Sequence, residues 1–259
     1  MSYADLSQAR LYYVIDGAAD APVLVLSNSL GTCADMWAHQ IPTLAKHFRV
    51  VRYDTRGHGK SSVPAGEYTF AQLANDVVEL LDHLHIDQAS FCGLSMGGPT
   101  GLQLALDHPQ RVRKLVLSNT AARIGSAEGW TARIDAVSKN GLETMAPGLV
   151  ERWLTDGFRD AEPGLTQVLV DMLRRTSNEG YNANCAALRD ADLRPRLAEI
   201  KAPTLIISGT QDPATTPKDG RELQTGIANA QYVELNTSHI ANWEHPESYT
   251  RALVDFLTA

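Results

Sequence analysis

Short β-branched or leucine-rich runs separated by longer helical patterns constrain this chain more than any other feature. They are Val23-Leu24-Val25-Leu26, Val50-Val51-Arg52-Tyr53, Ser90-Phe91-Cys92, Leu115-Val116-Leu117 and Thr204-Leu205-Ile206-Ile207. A strand with one face in water alternates apolar and polar residues. Near-continuous apolar runs suit strands buried on both faces, as in a parallel sheet covered by helices. The intervening segments supply the covers. Thr69 is placed to cap a helix, Gln72 completes a capping box, and Phe70, Leu73, Val77, Leu80, Leu81 and Leu84 make one apolar stripe. Pro246 opens a final helix with the stripe Tyr249, Ala252, Leu253, Phe256 and Leu257. The fold class is therefore α/β, a mostly parallel central sheet flanked by helices.

From about Ala121 to Leu197 the β-branched runs stop, and helical patterns follow one another around Trp130 to Val137, Leu149 to Leu154 and Leu165 to Arg174. Strands resume at Thr204. This predicts a core domain of residues 1–120 and 198–259, with residues 121–197 inserted as a helical lid over the sheet's working edge. A length of 259 residues accommodates one such unit.

Charge and cysteine usage narrow the function classes. Twenty-three Lys and Arg against 30 Asp and Glu give a net charge of −7, too acidic to concentrate a nucleic-acid backbone around the molecule. No apolar run approaches the roughly 20 residues that span a bilayer, and no basic segment leads into an apolar one near Met1, so neither membrane nor export is expected. Cys33, Cys92 and Cys185 are odd in number and widely spaced, which reads as reduced thiols in a cytoplasm.

The sharpest chemical motif is Gly93-Leu94-Ser95-Met96-Gly97, G-x-S-x-G between a strand run and a helical pattern. That is the setting of a nucleophile elbow, with Ser95 on a tight strand-to-helix turn. A serine hydroxyl needs a base, and the base needs a carboxylate to fix its tautomer. His239 follows the strand-like Tyr232-Val233-Glu234-Leu235, and Asp212 follows the run Thr204 to Ile207. Both lie where loops leave the carboxyl ends of strands, which favours Asp212 over Asp219 deeper in the next helical pattern. The other seven histidines read as solvated or capping residues. Backbone N–H groups of Leu30 and Met96 are the candidate oxyanion donors. Gly59-Lys60-Ser61 lacks the glycine a Walker loop requires, because position 54 is Asp54, and His83 and His85 are spaced too poorly to chelate a metal. No cofactor or metal is expected.

These residues carry a resemblance to α/β-hydrolases. The segments Val23 to Gly31, Arg52 to Ser62, Phe91 to Gly98, Leu115 to Gly125 and Gly209 to Pro213 resemble the 3-oxoadipate enol-lactonases in particular. The resemblance runs from Leu11 to Leu257. It implies an α/β-hydrolase fold and a small-molecule substrate, 3-oxoadipate enol-lactone, opened to 3-oxoadipate in the β-ketoadipate route of aromatic degradation. Ser238 stands where many α/β-hydrolases have glycine before the histidine. A carboxylesterase or a carbon–carbon bond hydrolase would use the same triad, and a hydrolase-fold ligand receptor could retain it. The implied substrate bears a free carboxylate, for which Trp130 and Arg133, three residues apart, and nearby Arg123 are the candidate contacts. Two readings of the first pair stay open: ring cover and carboxylate clamp, or lid packing and a solvated guanidinium.

Overall fold

The computed structural model describes residues 2–259. Among them, one sheet contains β1 (Ser2–Asp5), β2 (Arg10–Asp16), β3 (Val23–Ser27), β4 (Arg49–Tyr53), β5 (Ala89–Leu94), β6 (Val112–Ser118), β7 (Thr204–Gly209) and β8 (Gln231–Leu235). Their order across the sheet is β1-β2-β4-β3-β5-β6-β7-β8. Strands β3 to β8 pair in parallel, while β2 is antiparallel to both β1 and β4. The hairpin β1-β2 is an addition to the strands expected from sequence; it extends the sheet at the edge farthest from the catalytic candidates.

The helices, in chain order, are α1 (Ile41–Leu44), α2 (Phe70–His83), α3 (Gly97–Asp107), α4 (Ala127–Glu151), α5 (Asp156–Ala161), α6 (Pro163–Arg174), α7 (Asn178–Asp190), α8 (Pro217–Gly226), α9 (Ala241–Glu244) and α10 (Pro246–Thr258). Successive strand residues serve opposite faces. Leu24, Leu26, Cys92, Val116, Leu205 and Ile207 pack with Tyr249 and Leu253 of α10. Val25, Phe91, Leu115, Leu117 and Ile206 pack with Val77 and Leu80 of α2, Leu102 of α3 and Leu223 of α8. Both faces are thus covered, which is why the strand runs are apolar throughout. Burial of each such side chain stabilises the fold by roughly 1.5–3 kcal/mol. The capping box of α2 forms as expected: Thr69 Oγ1 accepts the Gln72 N–H at 3.2 Å and Gln72 Oε1 accepts the Thr69 N–H at 3.0 Å.

Helices α4 to α7 lie between β6 and β7, and α4 packs along α6 and α7. Helix α4 bends at Gly141, whose φ of 73° is outside the helical region. The stretch Leu149 to Leu154 is the end of α4 and the loop after it rather than a separate helix. Helix α7 has no leucine stripe to mark it in the sequence, because its buried face consists largely of small and polar residues, including Gly180, Ala183, Asn184, Ala186 and Ala187. No helix among the described residues is long and apolar enough to cross a membrane.

Candidate active site

Ser95 occupies the turn between β5 and α3 with φ 55°, a left-handed conformation that costs a residue with a Cβ about 1–2 kcal/mol. The flanking glycine is required by close approach: a Cβ on Gly93 would lie 2.0 Å from the Gly97 carbonyl oxygen. The turn lifts the hydroxyl off the sheet, where His239 Nε2 lies 2.8 Å from Ser95 Oγ. His239 Nδ1 is 2.8 Å from Asp212 Oδ2. A carboxylate can only accept, so Nδ1 of the neutral ring carries the hydrogen and the Nε2 lone pair faces the serine. All three residues are buried. They come from the loops after β5, β7 and β8, at the carboxyl ends of parallel strands, so the structure brings together the serine, histidine and aspartate that the sequence singled out. Asp219 is elsewhere, capping α8 by accepting the Thr216 N–H at 2.7 Å.

Asp212 is held by more than the histidine. Its Oδ1 accepts the backbone N–H groups of Ala214 at 2.8 Å and Thr215 at 3.0 Å, while Oδ2 accepts Thr215 Oγ1 at 2.8 Å and Asn119 Nδ2 at 3.2 Å. Burial alone would raise its pKa, but the facing His239 and these donors outweigh it and hold the carboxyl at about 2. Asn119, after β6, also donates to the Ser238 carbonyl at 3.0 Å, tying the aspartate loop to the histidine loop. Neither Asn119 nor Thr215 is legible as part of the site from sequence.

Two peptide planes bear on oxyanion binding. The Ser29 carbonyl accepts from Thr32 Oγ1 at 2.8 Å and the Thr32 N–H at 3.1 Å. The Ser95 carbonyl accepts from Thr120 Oγ1 at 2.7 Å and the Gly98 N–H at 2.8 Å. In a trans peptide the N–H points opposite to its C=O, so these bonds fix the directions of the Leu30 and Met96 N–H groups. Among the described residues, neither N–H donates to a protein acceptor. Met96 immediately precedes α3, whose N-terminal dipole favours negative charge.

A cavity of about 400 Å³ opens over the serine, and Leu30, Trp130, Arg133, Arg152 and Tyr181 are among its walls. That size is within the ordinary range for small-molecule sites. Trp130 is among the lining residues, and its Nε1 donates to the Ile124 carbonyl at 2.6 Å. Arg133 donates from Nη1 to the Tyr181 hydroxyl at 3.2 Å. No Asp or Glu lines this cavity, and among the described residues neither Arg133 nor Arg152 forms an ion pair. Two arginines that form no ion pair among the described residues therefore line a cavity of a protein whose net charge is −7. Arg123 is not with them: it lies 3.6 Å from Asp192 and lines a separate surface hollow. Arg152 carries no sequence signal that would place it here.

His58 corrects the reading of the remaining histidines as solvated or capping. It is 1% exposed, and its Nε2 accepts the Gly31 N–H at 2.8 Å. Burial lowers its pKa from the ordinary 6.5 to about 4, a shift the Arg56 carbonyl only partly opposes. As pH falls from 6.5 through 4, the unfolded chain takes up a proton that the folded chain does not, so stability declines. The loss should reach roughly 2–3 kcal/mol between pH 7 and 4.5 and be absent from His58→Gln, as compared by urea unfolding. Parallel pH dependences in the two proteins would show that His58 titrates normally in the folded state.

The serine on its strained turn and the His–Asp pair behind it, mounted on the carboxyl edge of a mostly parallel sheet, define a hydrolase of the α/β class. Residues 22–246 match the family model of the α/β hydrolase fold. The 3-oxoadipate enol-lactonases 2 and 1 of Acinetobacter baylyi are 46% and 42% identical to this chain, each alignment covering 94% of it and 91% of the relative. The crystal structure of an enol-lactonase from Burkholderia xenovorans superposes with a TM-score of 0.98 at 50% identity, covering all of both chains. The chain belongs to the 3-oxoadipate enol-lactonase family of α/β hydrolases.

Proposed function

We propose that the protein hydrolyses 3-oxoadipate enol-lactone to 3-oxoadipate through an acyl-enzyme on Ser95, without a cofactor. Ser95 Oγ attacks the lactone carbonyl as His239 Nε2 takes its proton, with Asp212 holding the imidazole in the tautomer that accepts it. The tetrahedral oxyanion is met by the Leu30 and Met96 N–H groups. Collapse breaks the ring C–O bond; the departing enolate takes the proton held by His239 and ketonises, leaving the acyl group on Ser95 and the imidazole neutral again. Water then attacks, His239 accepts its proton, and Ser95 leaves with that proton restored. The observation that supports this reading is the pair of 2.8 Å contacts beneath a cavity lined by two arginines and by no Asp or Glu. An anionic lactone loses hydration in such a cavity, and a cation replaces it.

The experiment is turnover of a panel comprising the enol-lactone, a neutral lactone of similar size, a simple ester and a ring-cleavage dienone. The enol-lactone should have the highest kcat/KM. Preference for the dienone or the simple ester would make the protein a carbon–carbon hydrolase or carboxylesterase, and single turnover with a ligand-dependent rearrangement of α4 to α7 would favour a receptor. A cytoplasmic location accords with the free thiols of Cys33, Cys92 and Cys185.

Within this reading, Arg133 clamps the substrate carboxylate with its two-pronged donor geometry, Trp130 covers the ring, and exposed Arg152 adds a weaker, water-screened attraction. Arg133→Met should cost roughly 2–5 kcal/mol of transition-state stabilisation on the carboxylate-bearing lactone and little on a neutral one, measured as kcat/KM. Equal losses on both would assign Arg133 to packing of the helical insertion.

A further inference from the structure

We infer that His58 is a positioning residue for the oxyanion hole: by accepting the Gly31 N–H it fixes the turn from which the Leu30 N–H meets the reacting carbonyl. This rests on the reading of Leu30 as an oxyanion donor. His58 itself is too deeply placed to line the cavity.

The turn that carries His58 is rigidly anchored. Arg56 makes a buried two-pronged contact with Asp76 of α2, Nε to Oδ2 at 2.6 Å and Nη2 to Oδ1 at 2.5 Å. Asp54 accepts the N–H groups of Ala34 and Lys60, each at 2.7 Å. From this anchored turn His58 Nε2 reaches the Gly31 N–H at 2.8 Å. An N–H can only donate, so Nε2 must be unprotonated and Nδ1 must carry the hydrogen. The surroundings of Nδ1 agree. Asn184 Nδ2 sits 3.5 Å from it, but both amide hydrogens are used by the Gly180 carbonyl at 2.8 Å and the Arg56 carbonyl at 3.0 Å. Nδ1–H is left facing the Arg56 carbonyl at 3.4 Å. Protonation of Nε2 would set hydrogen against hydrogen at Gly31, and burial keeps the ring neutral.

The turn being held is built for immobility. Gly31 has φ 80°, and a Cβ there would lie 2.2 Å from Leu173 Cδ1 of α6. Its carbonyl accepts Thr176 Oγ1 at 3.3 Å, and the Ser29 carbonyl is held by Thr32. His58 supplies the remaining acceptor. Without it, the Gly31 N–H is either orphaned in a buried place or rotates to find another partner, turning the Leu30–Gly31 peptide and shifting the Leu30 Cα that joins it to the Ser29–Leu30 peptide, whose N–H is the oxyanion donor. A displaced oxyanion donor weakens binding of the transition state while leaving ground-state binding nearly intact. A histidine that merely satisfies a buried N–H would change stability and leave kcat alone.

The test compares His58→Gln, whose Oε1 can take the place of Nε2, with His58→Leu, which has no acceptor. Each is assayed for kcat and KM on the lactone, for inhibition by a trifluoromethyl ketone analogue that forms a hemiketal oxyanion on Ser95, and for inhibition by the product. His58→Leu should lose about 10- to 100-fold in kcat and in ketone affinity, less than the hundred- to thousandfold for deleting a donor outright. Its KM and product inhibition should stay within about threefold, and His58→Gln should recover most of the loss. If His58→Leu does not fold, His58→Asn, too short to reach Gly31, takes its place with the same expectation. A folded Leu or Asn variant with wild-type kcat, or with equal losses in ketone and product binding, overturns the inference. Failure of the lactonase reading would instead appear in the wild-type protein, which would neither turn over the lactone nor bind the ketone.

Discussion

Replacing Ser95 with alanine is expected to lower kcat by roughly four to six orders of magnitude while the protein stays folded. The hydroxyl makes one contact, with His239 Nε2, and alanine retains the Cβ that the elbow already accommodates. Residual activity should exceed the uncatalysed rate, because the Leu30 and Met96 N–H groups and the cavity remain to bind a carbonyl attacked directly by water. A serine-directed phosphonate should add a single adduct, at the peptide containing Ser95, and none to the variant. The strained φ of 55° adds a second expectation: Ser95→Gly should be more stable than Ser95→Ala by about 1 kcal/mol, since only the glycine relieves the left-handed conformation. Turnover near wild type in a folded Ser95→Ala protein would move the nucleophile elsewhere.

What can be read from the sequence is whatever depends on local pattern. Ser95 sits in a pentapeptide whose glycines answer to one turn, and Asp212 and His239 each follow a strand run by a few residues, so knowing that the sheet is parallel puts them on one edge. Leu30 is reachable by the same logic, in the loop after β3. The supporting contacts have no such signature. Asn119 touches Asp212 across 93 positions because β6 and β7 are neighbours in the sheet, an adjacency set by topology and not by spacing. Arg133 lies within one helical turn of Trp130, but the bend at Gly141 breaks the phase of α4, so no periodicity carries from Arg133 to Arg152. His58 is misread from sequence because a lone histidine in a glycine-rich turn looks solvent-facing until the chain is seen to cover it with Gly31 and α7. The hairpin β1-β2 is hidden for a related reason: β1 is a four-residue strand of mixed polarity whose identity depends on pairing with β2.

Asp212→Asn is expected to lower kcat by roughly four orders of magnitude through a switch of tautomer, with folding largely preserved. The donors around the carboxylate dictate how the amide must sit. Oδ1 accepts two backbone N–H groups, those of Ala214 and Thr215, which cannot turn away, so the asparagine oxygen has to take that position. The NH2 group is then forced into the place of Oδ2, against His239 Nδ1, Thr215 Oγ1 and Asn119 Nδ2. It donates to Nδ1, which drives the ring hydrogen onto Nε2. An Nε2–H facing Ser95 Oγ cannot accept the serine proton, so the base is lost although every heavy atom stays close to its place. The introduced amide also faces Asn119 Nδ2 donor to donor. Asn119 cannot turn its amide over to relieve this, because Nδ2 also donates to the Ser238 carbonyl, so a modest loss of stability should accompany the loss of kcat. Activity of the single variant within tenfold of wild type would move the acid's role to another carboxylate. Asp219 is the next to test, although it already caps its own helix through Thr216.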